Sequence, residues 1–75
     1  MMVGRNFWAE PSGDGWEVRQ EGLPEKTTRH STREAAWEAA NERARECHGE
    51  AYLGDGSGGC LEQSCYRTMP RKMKI

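Results

Sequence analysis

The 75-residue sequence has no apolar run long enough to form a signal peptide or a membrane-spanning helix. A cytoplasmic protein is therefore expected. The sequence also lacks a large excess of charge of either sign, because the formal net charge is −1. The whole molecule therefore has no strong electrostatic attraction to nucleic acid or to an anionic membrane.

Cysteine and histidine are too few and too poorly spaced for familiar chemical sites. The three cysteines are an odd number without CxxC spacing, which argues against a disulfide framework or a zinc site. Cys60 and Cys65 are five positions apart, so on one regular strand they would point to opposite faces. Cys47 and His48 are adjacent, diverge by about 100° on a helix and cannot form a dyad with each other. The other histidine, His30, has no recognisable triad partner, and neither histidine has metal-ligand spacing. We therefore predict no metal site.

The glycine-rich segment GDGSGG (54–59) lacks the Gly-Lys-Ser/Thr of a phosphate-binding loop, and no helix follows it. A hairpin turn is the better interpretation. No carboxylate pair stands in a context that would raise one pKa for acid catalysis. We therefore predict a protein that is not an enzyme, with no catalytic residues and no cofactor.

Five short segments have the alternation or the composition of β-strands. The first two are separated by the turn signal SGDG, and the segment WEVRQ (16–20) alternates apolar and polar residues with a period of two. The third is rich in threonine. The predicted strands cover residues 6–11, 16–20, 26–30, 50–54 and 60–67.

The segment HSTREAAWEAANERARE (30–46) predicts a helix. Ser31 is a suitable N-cap, and Glu34 three residues later completes a capping-box pattern. Gly49 is the predicted left-handed C-terminal cap. The apolar residues form one broad stripe that can pack on a sheet: Ala35, Ala36, Trp37, Ala39, Ala40, Ala44 and Cys47.

The element order β-β-β-α-β-β indicates an α+β fold, an antiparallel sheet of about five strands with one helix on one face. Residues 1–67 are predicted to form a single domain, and residues 68–75 a basic C-terminal tail. A domain of this size buries only about 60% of its unfolded surface, so a deep enzyme pocket is not expected.

Three segments resemble the DUF2188 family of small bacterial and phage proteins: NFWAEPSGDGWEVRQEG, HSTREAAWEAANERA and GEAYLGDGSGGCLEQSCY. The shared features are a short strand ending in proline, a GW-x-V strand, an alanine-rich helix led by threonine, and a closing strand after a DG turn. The sequence departs at DGSGGC, where the turn is one residue longer and lacks the usual basic residue. The resemblance implies a fold but no chemistry. Matching positions are Pro11, Gly15, Trp16, Val18, Thr32, Ala35, Ala39, Ala40, Ala44 and Tyr66.

The segment STREAAWEAANERARECHGEAYL is also similar to small phage anti-CRISPR proteins in which a helix packs on a five-stranded sheet. That similarity implies a phage or mobile-element inhibitor of a host nucleic-acid machine, such as a CRISPR surveillance complex.

One edge of the predicted helix carries four glutamates at intervals of four residues. Like charges at that spacing repel each other. Arg43 and Arg45 lie within reach of the row and should offset part of this repulsion. A solvated polar face is the ordinary interpretation, and an acidic ridge facing a basic partner is the functional one. The row comprises Glu34, Glu38, Glu42 and Glu46.

The second face of the sheet has no predicted helix to cover it. Phe7 and Trp8 are consecutive, so one faces the helix and the other does not. Tyr52 faces outwards if Ala51 and Leu53 face the helix. Exposed aromatics near Arg19, Lys26 or Arg67 could stack on bases, and a homodimer interface is the other interpretation.

The sequence thus predicts a small protein that binds a protein partner with a basic surface, with a nucleic-acid-binding complex as the specific form. The alternative is a nucleic-acid-binding module that uses the open sheet face and the basic tail. No membrane partner is expected. The predicted partner-binding residues are Glu34, Glu38, Glu42, Glu46, Trp8 and Tyr52.

Overall fold

A computed structural model describes residues 5–66, which form a five-stranded sheet with one helix across one face. The predicted tail, 68–75, lies outside the described residues. The helix has neither the length nor the apolar character to cross a membrane. The elements are β1 (Asn6–Ser12), β2 (Gly15–Gln20), β3 (Leu23–His30), α1 (Arg33–Cys47), β4 (Glu50–Gly54) and β5 (Cys60–Cys65).

The sheet is mixed, and the prediction of a purely antiparallel sheet is wrong. The strand order is β3-β2-β1-β4-β5, with β1 and β4 parallel. The two hairpins pair β2 with β1 and β3 with β2. The other edge of β1 is therefore left open for a further strand. Helix α1 carries the chain from β3 back across the sheet, and β4 then joins that edge in the direction of β1. A helical crossover of this kind is what a parallel pair requires.

Strand β3 begins at Leu23, three residues before the predicted start at residue 26. The turn between β2 and β3 is therefore only Glu21 and Gly22, and Gly22 has a φ of +86°. This left-handed backbone conformation suits glycine because it has no Cβ. The ladder shifts register between Val18 and Gln20, which accommodates the additional residues of β3.

Both predicted caps of α1 are displaced by one residue. The N-cap is Thr32 instead of Ser31, and its hydroxyl accepts a hydrogen bond from the Ala35 amide at 3.1 Å. The capping box with Glu34 is therefore wrong, because the third residue after the cap is Ala35. At the other end the left-handed residue is His48, with a φ of 56°, instead of Gly49.

Gly49 is required for a different reason. A Cβ at this position would collide with the backbone carbonyl of Arg5, immediately before β1. The Glu50 amide donates to that same Arg5 carbonyl at 2.9 Å. The close approach begins the parallel pairing of β1 and β4.

The core lies between α1 and one face of the sheet. Its residues are at most 1% exposed, and no polar residue among those described is buried. Three helical alanines at intervals of four allow the helix backbone to lie close to the strands, and Trp37 and Ala39 pack partly buried beside them, which confirms most of the predicted packing stripe. The assignment of Cys47 to the packing stripe is wrong, because this residue of the last helical turn is exposed. The buried residues are Phe7, Ala9, Val18, Ala36, Ala40, Ala44, Ala51 and Leu53.

The predicted DGSGG turn is confirmed between β4 and β5. The Oδ1 atom of Asp55 accepts hydrogen bonds from the Ser57 amide at 2.8 Å and the Gly59 amide at 3.0 Å. These bonds lower the pKa of Asp55 because they stabilise its carboxylate. The Asp55 carboxylate therefore stabilises the turn.

Candidate protein-binding surfaces

The face of the sheet away from α1 presents two stacked aromatic rings at its centre. Trp8 and Tyr52 are register partners on the parallel strands β1 and β4. Their ring centroids are 4.7 Å apart with an interplanar angle of 20°. Phe7 is buried against the helix, so Trp8 is the residue that faces away. The outward orientation predicted for Tyr52 is confirmed, because Ala51 and Leu53 are both buried.

Carboxylates anchor both rings. Glu21 accepts hydrogen bonds from Trp8 Nε1 at 2.9 Å and from Asn6 Nδ2 at 3.1 Å. The Tyr52 hydroxyl donates to Glu50 Oε1. Each ring is therefore restrained by its neighbour and by one carboxylate, which leaves the pair with little rotational freedom.

A third carboxylate lies next to this pair. The Arg19 guanidinium donates a hydrogen bond to Glu10 Oε1 at 3.0 Å, and the two residues form a partly exposed ion pair. Such exposed pairs contribute little to stability. We refer to Trp8, Tyr52 and these three carboxylates, Glu10, Glu21 and Glu50, as the open-face patch.

The carboxylates change the acidity of the tyrosine. The hydrogen bond to Glu50 is the main cause that raises the pKa of Tyr52 to about 12, with smaller contributions from burial and from the charges of Glu50 and Glu21. A phenolate at this position would face two carboxylates without a proton to share. Tyr52 therefore remains a neutral hydrogen-bond donor throughout the physiological range.

The acidity of Tyr52 can be tested by titration. In a Tyr66→Phe background, where Tyr52 is the remaining tyrosine, tyrosinate absorbance should rise with a pKa of about 12. Glu50→Gln should move the titration towards the ordinary value of about 10. The raised pKa means that the Tyr52 contribution to stability is complete below pH ~10 and is lost as the pH rises towards ~12. Circular dichroism at each pH verifies that the chain is folded.

Glu62→Gln provides the control for that titration, because Glu62 is exposed and lies opposite Leu53, a residue of the other face. It should leave the Tyr52 titration unchanged. An ordinary tyrosine pKa in the parent, or equal effects of both glutamine substitutions, would contradict the assigned hydrogen bond.

Two cysteines border the patch on β5. Cys65 pairs with Glu50 and Cys60 pairs with Gly54, so both have register partners on the open face. The prediction that they lie on opposite faces is wrong, because an extra residue, Leu61, interrupts the alternation. The Cys65 Sγ lies 3.9 Å from a Glu50 carboxylate oxygen. All three cysteines of the chain are free thiols and exposed.

The open face is acidic. Its central strands and the turn after β2 carry four carboxylates, Glu10, Glu17, Glu21 and Glu50, and one guanidinium, Arg19. At the edge, Arg29 is the register partner of Glu17 but directs its guanidinium to Ser12, at 3.0 and 3.1 Å. This excess of negative charge opposes the approach of phosphates.

The basic residues expected beside the aromatics do not form a cationic platform within residues 5–66. Arg19 is paired with Glu10. Lys26 lies on the edge strand β3, and Arg67 falls outside the described residues.

The four glutamates of the helix form the second candidate surface. Glu34, Glu38, Glu42 and Glu46 are all exposed. None of them forms an ion pair with another residue of 5–66. We refer to these four residues as the glutamate row.

The arginines near the row do not neutralise it as expected. Arg43 reaches away to β3, where it donates to the Lys26 carbonyl at 3.3 Å and to Thr28 Oγ1 at 3.2 Å. Arg45 has no carboxylate partner within ion-pair distance in the described part of the chain. The mutual repulsion of the row is thus not relieved by direct pairs.

A cleft of about 490 Å³ lies between the end of α1 and β3. It is open and lined by side chains of both charges, with Arg43 hydrogen-bonded to β3 along it. Across residues 5–66, no three His, Cys, Asp or Glu side chains come together as metal ligands.

The sequence profile of DUF2188, a family described as an uncharacterized protein conserved in bacteria, matches residues 7–58. The chain belongs to the DUF2188 family. The DUF2188 match extends from β1 to the turn after β4 and so contains the stacked aromatics, their carboxylates and the glutamate row. It stops before β5, whereas the resemblance noted in the sequence extended to Tyr66. No curated protein and no solved structure matches the chain, and no match supports the anti-CRISPR similarity.

Sequence reasoning missed the carboxylates of the open-face patch. Glu10 is two residues from Trp8 on the same strand, so alternation could have placed both on one face. Glu50 bears the same relation to Tyr52. No local signal could place Glu21, because its contact with Trp8 depends on the pairing of β1 with β2 and the tight turn that follows.

Proposed function

We propose that this DUF2188 protein is a non-enzymatic binding protein that docks through its glutamate row on a partner with a basic surface. The observation that carries the proposal is that four exposed carboxylates lie along one edge of α1 without an ion-pair partner among residues 5–66. The packing of the helix does not require them, because its buried contacts come from Ala36, Ala40 and Ala44.

The row imposes a small cost on the isolated protein. Each of its three i,i+4 pairs is unfavourable by a few tenths of a kcal/mol. A basic partner would replace this repulsion with attraction and would accelerate association at low ionic strength. At about 1.5 Å per residue, the four positions extend over about 18 Å of helix. A regular line of carboxylates on that scale can enter a groove that accommodates phosphates.

The most specific form of the proposal is a phage or mobile-element inhibitor that acts in the cytoplasm on a host nucleic-acid machine. A CRISPR surveillance complex is one example of such a machine. The size of the chain supports this form, since an inhibitor of this kind needs one docking surface and no catalytic pocket.

Charge reversal of the row tests the proposal. Affinity purification from a bacterial host first identifies the partner by mass spectrometry. The triple variant Glu38→Lys, Glu42→Lys, Glu46→Lys should then weaken binding of that purified partner by more than about tenfold, because three attractive contacts become repulsive. Isothermal titration calorimetry at two salt concentrations measures both the affinity and its electrostatic part.

The matched control reverses three other exposed acidic residues, Asp14, Glu25 and Glu62, and so changes the net charge equally. It should alter the affinity by about twofold or less. Unchanged binding by the row variant, or equal losses in both variants, would contradict docking through the row.

The alternative of a nucleic-acid-binding module is favoured by one observation, the stacked and partly exposed pair of Trp8 and Tyr52. Aromatic side chains on an open sheet can stack on bases. The carboxylates around this pair work against a phosphate backbone. Binding of single-stranded DNA or RNA in low salt would support the alternative, and its absence would remove it.

A further inference from the structure

The open face of the sheet lacks a second layer within residues 5–66. Parallel strands usually lie in sheets that are covered on both faces. Here the parallel pair β1–β4 is central, and Trp8 and Tyr52 lie on its uncovered side. Two large aromatic rings in such a position form a preformed apolar contact surface.

We propose that the open-face patch docks an arginine-bearing segment of a protein partner. This surface lies on the opposite side of the sheet from α1, so the proposal goes beyond docking through the glutamate row. It identifies a second site and the side chain that this site would recognise.

Charge and ring geometry together favour arginine. A guanidinium is planar and weakly hydrated, stacks on aromatic surfaces and donates charge-assisted hydrogen bonds to carboxylates, whose oxygens can each accept more than one. The patch places carboxylates beside both rings, Glu21 at Trp8 and Glu50 at Tyr52. A lysine ammonium could approach the same carboxylates but would not stack in this way. The methylene stem of an arginine would pack on the exposed ring surface.

The patch is already ordered before a ligand arrives. The Trp8 ring is fixed by its bond to Glu21 and the Tyr52 ring by its bond to Glu50, and the two rings restrain each other. A rigid surface loses little side-chain entropy on binding. Two aromatic residues surrounded by hydrogen-bonding groups also have the composition of an interface hot spot.

The charge of the face argues against other occupants. A second copy of the chain would bring its own Glu10, Glu17, Glu21 and Glu50 against these four, with few cations between them. A nucleic acid would bring phosphates to the same carboxylates. An arginine-bearing segment is complementary in charge and in its capacity to stack.

Peptide binding to the full chain tests the inference. The probe is the blocked peptide Gly-Arg-Gly-Arg-Gly, with matched lysine and glutamate peptides in place of arginine. The ¹⁵N spectrum reports directly, because the Trp8 indole N–H donates to Glu21 and its signal, assigned with Trp8→Phe, should move on binding. We expect the arginine peptide to bind about fivefold more tightly than the lysine peptide, and the glutamate peptide to leave the signal unchanged.

Two pairs of isosteric substitutions locate the site. The double substitution Glu21→Gln and Glu50→Gln should weaken binding of the arginine peptide by about tenfold, because both charge-assisted contacts are lost. Glu38→Gln with Glu42→Gln changes the net charge equally on the glutamate row and should alter the affinity by less than about twofold. A negative result here would not contradict docking through the glutamate row. A negative result for the row would likewise not contradict arginine binding at the open-face patch.

Four outcomes would overturn the inference. The Trp8 signal could remain unchanged at millimolar peptide, or the two substitution pairs could have equal effects. Binding that appears only after removal of residues 67–75 would identify the basic terminal segment of the same chain as the occupant. Movement of the Trp8 signal by a single-stranded oligonucleotide, and not by the arginine peptide, would identify nucleic acid as the ligand.

Discussion

Phe7→Ala should lower the free energy of unfolding by about 3–5 kcal/mol, whereas Trp8→Ala should cost less than half as much. The two residues are neighbours on β1 but lie on opposite faces of the sheet. Phe7 is 1% exposed within the core, while Trp8 is partly exposed on the open face. Loss of the Phe7 ring leaves a cavity between sheet and helix, and loss of the Trp8 ring opens to solvent.

The effect of Phe7→Ala is large for so small a protein. At about 0.05–0.15 kcal/mol per residue, 75 residues provide only about 4–11 kcal/mol of stability. Urea unfolding monitored by circular dichroism measures both variants. Phe7→Leu, which retains most of the volume, keeps the comparison measurable if the alanine variant is unfolded in water. A Trp8→Ala variant that is less stable than Phe7→Ala would contradict the assignment of the two faces.

Gly49→Ala should cost about 3 kcal/mol or more, because its methyl group has no space in the native backbone. The added Cβ would collide with the Arg5 carbonyl, which is the acceptor for the Glu50 amide at the start of the β1–β4 pairing. Relief of the collision would require the two central parallel strands to separate. The midpoint of thermal unfolding and the denaturant midpoint should both fall.

His48→Gly is the matched variant one residue earlier, with the opposite expected sign. His48 has a φ of 56°, and its amide bonds to the Ala44 and Arg45 carbonyls that end α1. Glycine adopts this conformation without a Cβ penalty, so we expect a gain of about 0.5–1 kcal/mol. A neutral Gly49→Ala together with a destabilising His48→Gly would contradict the left-handed conformation of His48 and the close approach of Gly49 to Arg5.

The two acidic surfaces lie on opposite sides of the sheet, so substitutions can test the two proposed docking sites separately. The glutamate row is on the exposed side of α1, and the open-face patch is on the sheet face that α1 does not contact. Each surface carries negative charge near neutral pH.

The position of the helix and its buried face were predictable because their signals are local. Alanines at intervals of four describe a stripe that can pack on a sheet without any knowledge of the sheet. Its N-cap was displaced by one residue, since Ser31 and Thr32 are both good caps by chemistry. The choice between them depends on where β3 ends, and the chain reaches Thr32 with an extended φ of −134°.

The candidate site was predictable only in part. Alternation placed Tyr52 on the outer face once Ala51 and Leu53 were assigned to the core, but it could not choose between Phe7 and Trp8. The position of Trp8 beside Tyr52 depends on the parallel pairing of β1 and β4. Pairing between strands more than 40 residues apart has no local signature, because its energy comes from contacts that form only in the folded chain.

The sequence by itself determined the order of the elements, the buried face of the helix and the exposure of the glutamate row. These features follow from periodicity, which each segment carries within itself. The tertiary structure alone decided the mixed sheet, the stacking of Trp8 on Tyr52 and the carboxylates that hold both rings. The physical reason is that strand order and register bring together residues from distant segments, and only long-range backbone pairing specifies which residues become neighbours.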